Sequence, residues 1–241
     1  MEMLLTPEFW IGLVKIIGVN IILSGDNAVV IALAARSLPA RQQRQAIFWG
    51  AGAAVVLRII LTIFAAALLA LPWLKIVGSL LLFWIGVKLL VPEDDGDGIK
   101  ASEHLLTAIK TILVADLVMS MDNVIAVAAA AGGSMTLLIL GLAISIPLVV
   151  FGATLLVKLM ERFPVIITIG GGLIGWVAGE MPVTDPALEG WLRGLGVEFV
   201  EGKPNVGALS LELLAGIIGL IVVIALGKWL AGRRQPEAAN P

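Results

Sequence analysis

The sequence predicts an all-α, polytopic membrane protein, and three observations support this fold class. Of the 241 residues, 59% are hydrophobic and only 14% are charged, whereas a soluble domain has roughly 45–50% apolar and about 25% charged residues. The mean hydropathy is +1.04, and the apolar residues lie in long blocks of the length that crosses a bilayer, about 20 residues. Two of these blocks contain the same polar motif.

The composition also excludes several classes of function. A net charge of -2 gives no electrostatic support for a nucleic-acid partner. The chain has no cysteine and a single histidine, His104. Disulfides, thiol chemistry and zinc sites of the usual kind are therefore excluded.

Seven membrane-spanning helices are predicted from the apolar blocks. The predicted spans are 10–35, 46–71, 73–91, 105–131, 135–159, 165–181 and 209–230. The first is not expected to be a signal peptide, because its leader carries Glu2 and Glu8 and no basic residue. Residues 1–234 are predicted to form a single transmembrane domain, and residues 235–241 a disordered tail.

The basic residues predict how the chain crosses the membrane. Ten would lie on one side of it, namely Arg36, Arg41, Arg44, Lys88, Lys100, Lys158, Arg162, Lys228, Arg233 and Arg234. The other side has only Lys75, Arg193 and Lys203. Because positive loops stay in the cytoplasm, we expect an inner-membrane protein with its N-terminus outside and its C-terminus inside.

The chain contains an internal repeat. The segment that begins at Asn20 and includes Ser24, Asp26 and Asn27 matches, at an offset of 96, the segment that begins at Asp116 and includes Ser120, Asp122 and Asn123. The third and sixth spans also match, at an offset of 92, through Pro72 and Pro164, Gly78 and Gly170, and Trp84 and Trp176. The repeats cover about 8–92 and 104–184, and a seventh helix follows at about 208–231. Three spans per copy is an odd number, so the two copies are expected to be inverted, as in many secondary transporters.

The repeated motif places aspartates inside the membrane. An aspartate at mid-membrane depth costs about 2.5–3.5 kcal/mol on the insertion scale, so it needs partners and by default indicates function. The spacing puts Asn20, Ser24 and Asn27 on one helix face, and Asp116, Ser120 and Asn123 on another. Gly25 is expected to break the first helix and to turn Asp26 inward. The second copy has Met121 at that position, so a break there is less expected.

If the two motifs cross, their side chains form an oxygen-rich set. Carboxylates, amides and hydroxyls suit Mg²⁺, Ca²⁺ and Mn²⁺, whereas Cu⁺ and Zn²⁺ favour sulfur or imidazole. The predicted metal ligands are Asp26, Asn27, Asp116, Asp122 and Asn123. Residues predicted for a second shell or pathway are Asn20, Ser24, Ser120, Arg58 and Glu180. The alternative is that these groups make structural hydrogen bonds between helices.

The sequence leaves two alternatives for each of three features. Arg58 lies well inside the second apolar block, either as a structural partner of an aspartate or as a tethered cation that takes the site when metal leaves. Glu180 is either an exit ligand or an interfacial charge. Residues 185–205 form either an amphipathic segment on the outer surface or a plain solvated loop.

The doubled Asp-Asn motif, in two inverted three-span halves followed by a seventh span, resembles the TerC family and is most similar to its short, YjbE-type members. The resemblance covers nearly the whole chain. It implies a helical fold related to LysE-type exporters, Mn²⁺ efflux, and metal handling by Asp26, Asn27, Asp116, Asp122 and Asn123. This chain departs from the pattern at Asn20, where some relatives carry an acid, and the departure lowers the charge of the site by one.

The expected function is therefore export of a hard divalent cation, with Mn²⁺ favoured over Ca²⁺ by the resemblance. The alternatives are a membrane subunit that does not transport but stabilises or metallates partner proteins, and a Ca²⁺ exchanger. An enzyme is not expected, because the sequence contains no Ser–His, Cys–His or His-rich constellation. No tightly bound cofactor is predicted. Protons are the expected coupling ion, since the sequence shows no P-loop and carboxylates bind either metal or protons.

Overall fold

A computed structural model describes residues 7–64, 71–91, 101–131, 134–200, 203–207 and 209–234. In chain order the helices are α1 (Pro7–Leu23), α2 (Gly25–Ala35), α3 (Ala40–Ile63), α4 (Leu74–Leu90), α5 (Ala101–Ala131), α6 (Met135–Arg162), α7 (Val165–Val183), α8 (Pro186–Gly194) and α9 (Leu211–Arg234). Three short strands, β1 (Glu198–Val200), β2 (Lys203–Val206) and β3 (Leu209–Ser210), lie between α8 and α9. The predicted tail, 235–241, lies outside the described residues.

Within the described part of the chain, five helices are long and apolar enough to cross a membrane. They are α3, α5, α6, α7 and α9, and the bent pair of α1 and α2 makes a sixth if it is one span. The remaining predicted span corresponds to α4, which has 17 residues and is therefore about 25 Å long, shorter than the roughly 30 Å hydrocarbon core. The helical membrane fold is thus confirmed, whereas the count of seven spans and the inverted repeat stay predictions.

The chain divides into two compact units. The first comprises residues 1–70 and 100–161 and contains α1, α2, α3, α5 and nearly all of α6. Its apolar core is built from Ile16, Val55, Val127, Ala131, Leu138 and Leu142. Helix α5 packs against α1, α2 and α3, and the approach of α3 to α5 is close because Gly50 lacks a side chain: a Cβ there would lie 2.8 Å from Ile112 Cδ1.

The second unit comprises residues 71–99 and 162–241 and contains α4, α7, α8, the strands and α9. Helices α7 and α9 approach so closely that a Cβ on Gly175 would lie 2.6 Å from the carbonyl oxygen of Gly219. Small residues that let two backbones meet in this way are characteristic of helix packing in membranes. Both helices also pack against α4.

In the segment 185–205, for which the sequence left two alternatives, the described residues form a helix and two strands of this second unit. Helix α8 begins after its N-cap, Asp185, and buries Leu192 while Trp191 stays 63% exposed. The three strands form an antiparallel sheet in the order β1-β2-β3. Helix α8 is thus amphipathic, while its position on the outer surface stays a prediction. The sheet was not predicted, because strands of two to four residues leave little periodicity to detect.

Candidate cation site

The first copy of the motif lies where a helix breaks. Helices α1 and α2 meet at Ser24 with a bend of 50°. Gly25 starts the second helix, as expected, and Asp26 stands in its first turn, where its Oδ1 accepts a hydrogen bond from the Asn27 amide at 2.8 Å. A carboxylate at the start of a helix is stabilised by the helix dipole. The break thus places a half-buried carboxylate in the first turn of α2, where backbone amides have no partner within the helix.

The second copy of the motif lies in a continuous helix. Helix α5 runs without interruption from Ala101 to Ala131, in keeping with Met121 in place of a glycine. The Nδ2 of Asn123 donates to the carbonyl oxygen of Leu23, the last residue of α1, at 3.1 Å. The side chain of Asp122 lies outside the described part of the structure, so its predicted role as a ligand stays a prediction.

Arg58 connects the two copies. This side chain comes from α3 and is only 3% exposed. Its Nη1 donates to Asn20 Oδ1 at 2.7 Å and to Ser24 Oγ at 2.8 Å. Its Nη2 pairs with Asp116 Oδ1 at 2.6 Å, and its Nε donates to Ser120 Oγ at 2.9 Å. One buried guanidinium therefore contacts oxygens from both copies of the motif.

The contacts follow the repeat. Asn20 corresponds to Asp116 and Ser24 to Ser120 at the same offset of 96. Within each copy the serine hydroxyl donates to the residue four positions earlier, to Asn20 Oδ1 at 3.3 Å and to Asp116 Oδ2 at 3.1 Å. Two equivalent helical turns thus present their polar face to the same positive charge.

The Asn27 side chain is buried without hydrogen bonds. It is 4% exposed, and neither its Oδ1 nor its Nδ2 has a hydrogen-bond partner among the described residues. Leaving a buried polar atom unpaired costs about 1–3 kcal/mol. An orphaned amide oxygen next to Asp26 is therefore a candidate ligand for a hard cation.

Sequence reasoning missed one member of the cluster, Ser145 in α6. It is fully buried, its Oγ accepts a hydrogen bond from Asn20 Nδ2, and it donates to the carbonyl of Leu142 at 2.7 Å. The available signal was a hydroxyl in the middle of an apolar block. Serine satisfies its own helix backbone so often that this signal alone did not single it out.

Glu180 has a hydrogen-bond partner within its own helix. It belongs to α7 in the second unit, where its Oε1 accepts a hydrogen bond from Trp176 Nε1 at 2.5 Å. Among the described residues, no group of three or more acidic or histidine side chains is close enough to hold a metal ion. The polar cluster consists of Asn20, Ser24, Arg58, Asp116, Ser120 and Ser145. The complete ligand set stays a prediction.

The cluster is a buried ion pair with several hydrogen bonds. Carboxylate, amide and hydroxyl oxygens surround a guanidinium that is itself only 3% exposed. In such surroundings a charge is tolerated only if it is paired and hydrogen-bonded. The arrangement stabilises positive charge between helices of a membrane protein.

The fold and this cluster define the class, which is a polytopic helical membrane protein with a buried cluster of charged and polar side chains. A family model described as "Integral membrane protein TerC family" matches residues 5–235, so the chain belongs to the TerC family. The resemblance inferred from the doubled motif is thereby confirmed.

Three relatives come from Bacillus subtilis (strain 168). The "Uncharacterized membrane protein YjbE" is 45% identical over 181 residues, which cover 75% of this chain and 83% of the relative. "YkoY", with the same description, is 27% identical over 264 aligned positions that cover 100% of this chain and 78% of the relative. "YceF" is 27% identical over 194 positions, covering 75% and 74%. No solved structure matches the chain.

Proposed function

We propose that this protein is a secondary transporter that exports a hard divalent cation, with Mn²⁺ as its cargo, through an intramembrane site built from the two Asp-Asn motifs. The observation that carries the proposal is the convergence of oxygens from both motif copies on one buried positive charge. Asn20 and Ser24 from the first copy and Asp116 from the second lie within 2.6–2.8 Å of the guanidinium of Arg58. Purely structural pairing of helices would not require both copies at one point.

The formal charge of the site supports a divalent cargo. In the proposed site, Asp26, Asp116 and Asp122 would contribute three negative charges and the tethered Arg58 one positive charge, which leaves -2 whether or not the guanidinium contacts Asp116. A divalent ion would neutralise this charge. A neutral site lowers the free-energy cost of moving an ion from water into an apolar interior. A monovalent ion would leave the site charged.

The unpaired amide of Asn27 supports direct binding of the ion. Its Oδ1 is a neutral ligand of the type that Mn²⁺ and Ca²⁺ accept. Binding would satisfy a buried oxygen that lacks a partner among the described residues. The choice of Mn²⁺ over Ca²⁺ rests on the family resemblance.

The proposed setting is the bacterial inner membrane, with the N-terminus outside and exchange against protons. The basic residues near the helix ends support this orientation. Export of a cation against an inside-negative potential costs about 2.3 kcal/mol per charge per 100 mV, and a proton gradient would supply this free energy.

The test is metal flux into liposomes that contain only this protein. Mn²⁺ flux that depends on an imposed pH gradient is expected. Asp26→Asn and Asp122→Asn should each abolish it at normal membrane abundance, because each keeps the size of the side chain but removes one charge from the site. Ser24→Ala and Ser120→Ala should have milder effects.

Glu189→Gln is the matched control, since it removes an exposed acid outside the site. Full flux in either aspartate variant would contradict the shared site. A wild-type protein that carries no metal would instead favour a membrane subunit without transport activity.

A further inference from the structure

Arg58 is bound to Asp116, one of the proposed ligands of the cargo. Its guanidinium contacts Asp116 at 2.6 Å, Asn20 at 2.7 Å and Ser24 at 2.8 Å. These are carboxylate, amide and hydroxyl oxygens, the ligands that hard cations prefer. A guanidinium and a divalent cation cannot both sit at the centre of this set, because like charges at that distance repel strongly in an apolar interior.

We propose that Arg58 is a tethered counter-cation that competes with the metal for Asp116 and is displaced from this carboxylate when the metal binds. The inference rests on the proposed function and deepens it by assigning the release step and the selectivity of the same site. Arg58 is a positioning and specificity residue in this account, since it acts on the ligand and not on the metal.

The carboxylate of Asp116 is fully engaged by the protein. Its Oδ1 pairs with Arg58 and its Oδ2 accepts from Ser120, and its side chain is 6% exposed. A metal that takes this carboxylate must therefore break the ion pair. When the metal leaves, the guanidinium returns, so the buried carboxylate is never left without a positive partner, a state that is strongly unfavourable.

The length of the arginine side chain makes such an exchange feasible. The backbone of Arg58 is part of α3, and its carbonyl accepts a hydrogen bond from Thr62 at 2.7 Å. The backbone can therefore stay in place while the flexible side chain changes its position by rotation about its bonds.

Competition with Arg58 also favours divalent over monovalent cations. A monovalent ion such as K⁺ has the same charge as the guanidinium but none of its covalent attachment, so it gains nothing by replacing it. A divalent ion has twice the charge and interacts more strongly with the carboxylate. Arg58 would thus exclude the abundant monovalent cations of the cell.

The experiment measures the affinity of the purified protein for Mn²⁺ by isothermal titration calorimetry, in potassium chloride and in equimolar choline chloride. In choline chloride, Arg58→Gln should bind Mn²⁺ at least about tenfold more tightly than wild type, because the competitor is gone. Potassium should weaken binding by Arg58→Gln and leave wild-type binding unchanged. In liposomes the same variant should show slower turnover, since release is no longer assisted.

Arg44→Gln is the matched control, because it makes the same substitution on the same helix at an exposed position and should match wild type. A folded Arg58→Gln protein with unchanged or weaker affinity would overturn the inference. If that variant does not fold, Arg58→Lys is the deciding variant. A lysine keeps the charge but lacks the planar guanidinium that holds several oxygens, so the variant should bind Mn²⁺ more tightly than wild type. Equal or weaker binding would overturn the inference. A wild-type protein that binds no Mn²⁺ would refute the proposed function itself, which is a different outcome.

Discussion

Replacement of Asp185 should destabilise the second unit more than any surface substitution, because this carboxylate caps two helices at once. Its Oδ1 accepts from the backbone amides of Trp73 at 2.9 Å and Ala187 at 2.8 Å, and its Oδ2 accepts from those of Lys75 at 3.0 Å and Ile76 at 3.2 Å. Ala187 belongs to the first turn of α8. Lys75 and Ile76 belong to the first turn of α4, and Trp73 is the N-cap residue of that helix.

The cap on α4 is supplied from a distant part of the chain. The N-cap residue, Trp73, has a left-handed backbone with φ of 71° and makes no side-chain cap. Such a conformation is unfavourable for a bulky residue. Asp185 compensates by binding the Trp73 amide and the first free amides of the helix.

The expected loss follows from these four hydrogen bonds. Removal of an N-cap costs about 1 kcal/mol per helix, and an unpaired buried amide costs about 1–3 kcal/mol. Because Asp185 is only 1% exposed, water does not readily replace it. Asp185→Ala should therefore lower the free energy of unfolding by about 2–4 kcal/mol. Asp185→Asn should cost roughly half as much, since one oxygen stays available as an acceptor.

Stability should also depend on pH through this residue. Burial of the carboxyl favours its neutral form, but the four backbone donors together outweigh that effect and hold the pKa of Asp185 below its ordinary value. A lowered folded pKa contributes stability that is present above the unfolded pKa, about 3.9, and is lost as pH falls through the folded value. The advantage of wild type over Asp185→Asn should shrink in that acid range.

The assay is unfolding of the detergent-solubilised protein with increasing sodium dodecyl sulfate, followed by the fluorescence of its seven tryptophans. Glu189→Ala is the control, because its ion pair with Arg193 at 2.7 Å is exposed and should be worth less than about 1 kcal/mol. If Asp185→Ala were no more destabilising than Glu189→Ala, the double-capping role would be refuted.

Three further predictions concern other parts of the molecule. Asn27→Ala should leave the free energy of unfolding unchanged or raise it by about 1 kcal/mol, because it removes unpaired buried atoms, while Mn²⁺ binding in calorimetry weakens; a marked loss of stability would contradict a ligand role. Gly175→Leu should destabilise the protein by about 1–3 kcal/mol through overpacking against α9, measured by the same detergent titration, whereas Gly152→Leu, at a position with open space around it, should not. A cysteine engineered at Gln42 should resist an impermeant thiol reagent in intact cells, and rapid labelling there would reverse the proposed orientation.

The class of protein and the segments that carry the polar cluster could be predicted from local features of the sequence. Apolar blocks of about 20 residues predict membrane helices wherever they occur. The doubled motif marked Asp26 and Asp116 because acids inside such blocks are costly. The break at Gly25 was also predictable, since glycine permits conformations that interrupt a helix.

The partners of these side chains were decided only by the tertiary structure. Arg58 and Asp116 are 58 residues apart, Asn20 and Ser145 are 125 apart, and Trp73 and Asp185 are 112 apart. Helical periodicity shows which residues share one face of a helix. It does not show which other helix packs against that face.

The sequence by itself thus determined the membrane class, the approximate helices and the polar motif, because these depend on composition and on spacing over a few turns. Only the tertiary structure decided that one arginine joins both motif copies, that a serine of α6 completes the cluster, and that a remote aspartate caps α4. The physical reason is that a buried polar group must find its partner wherever packing brings one, and packing depends on all the helices together.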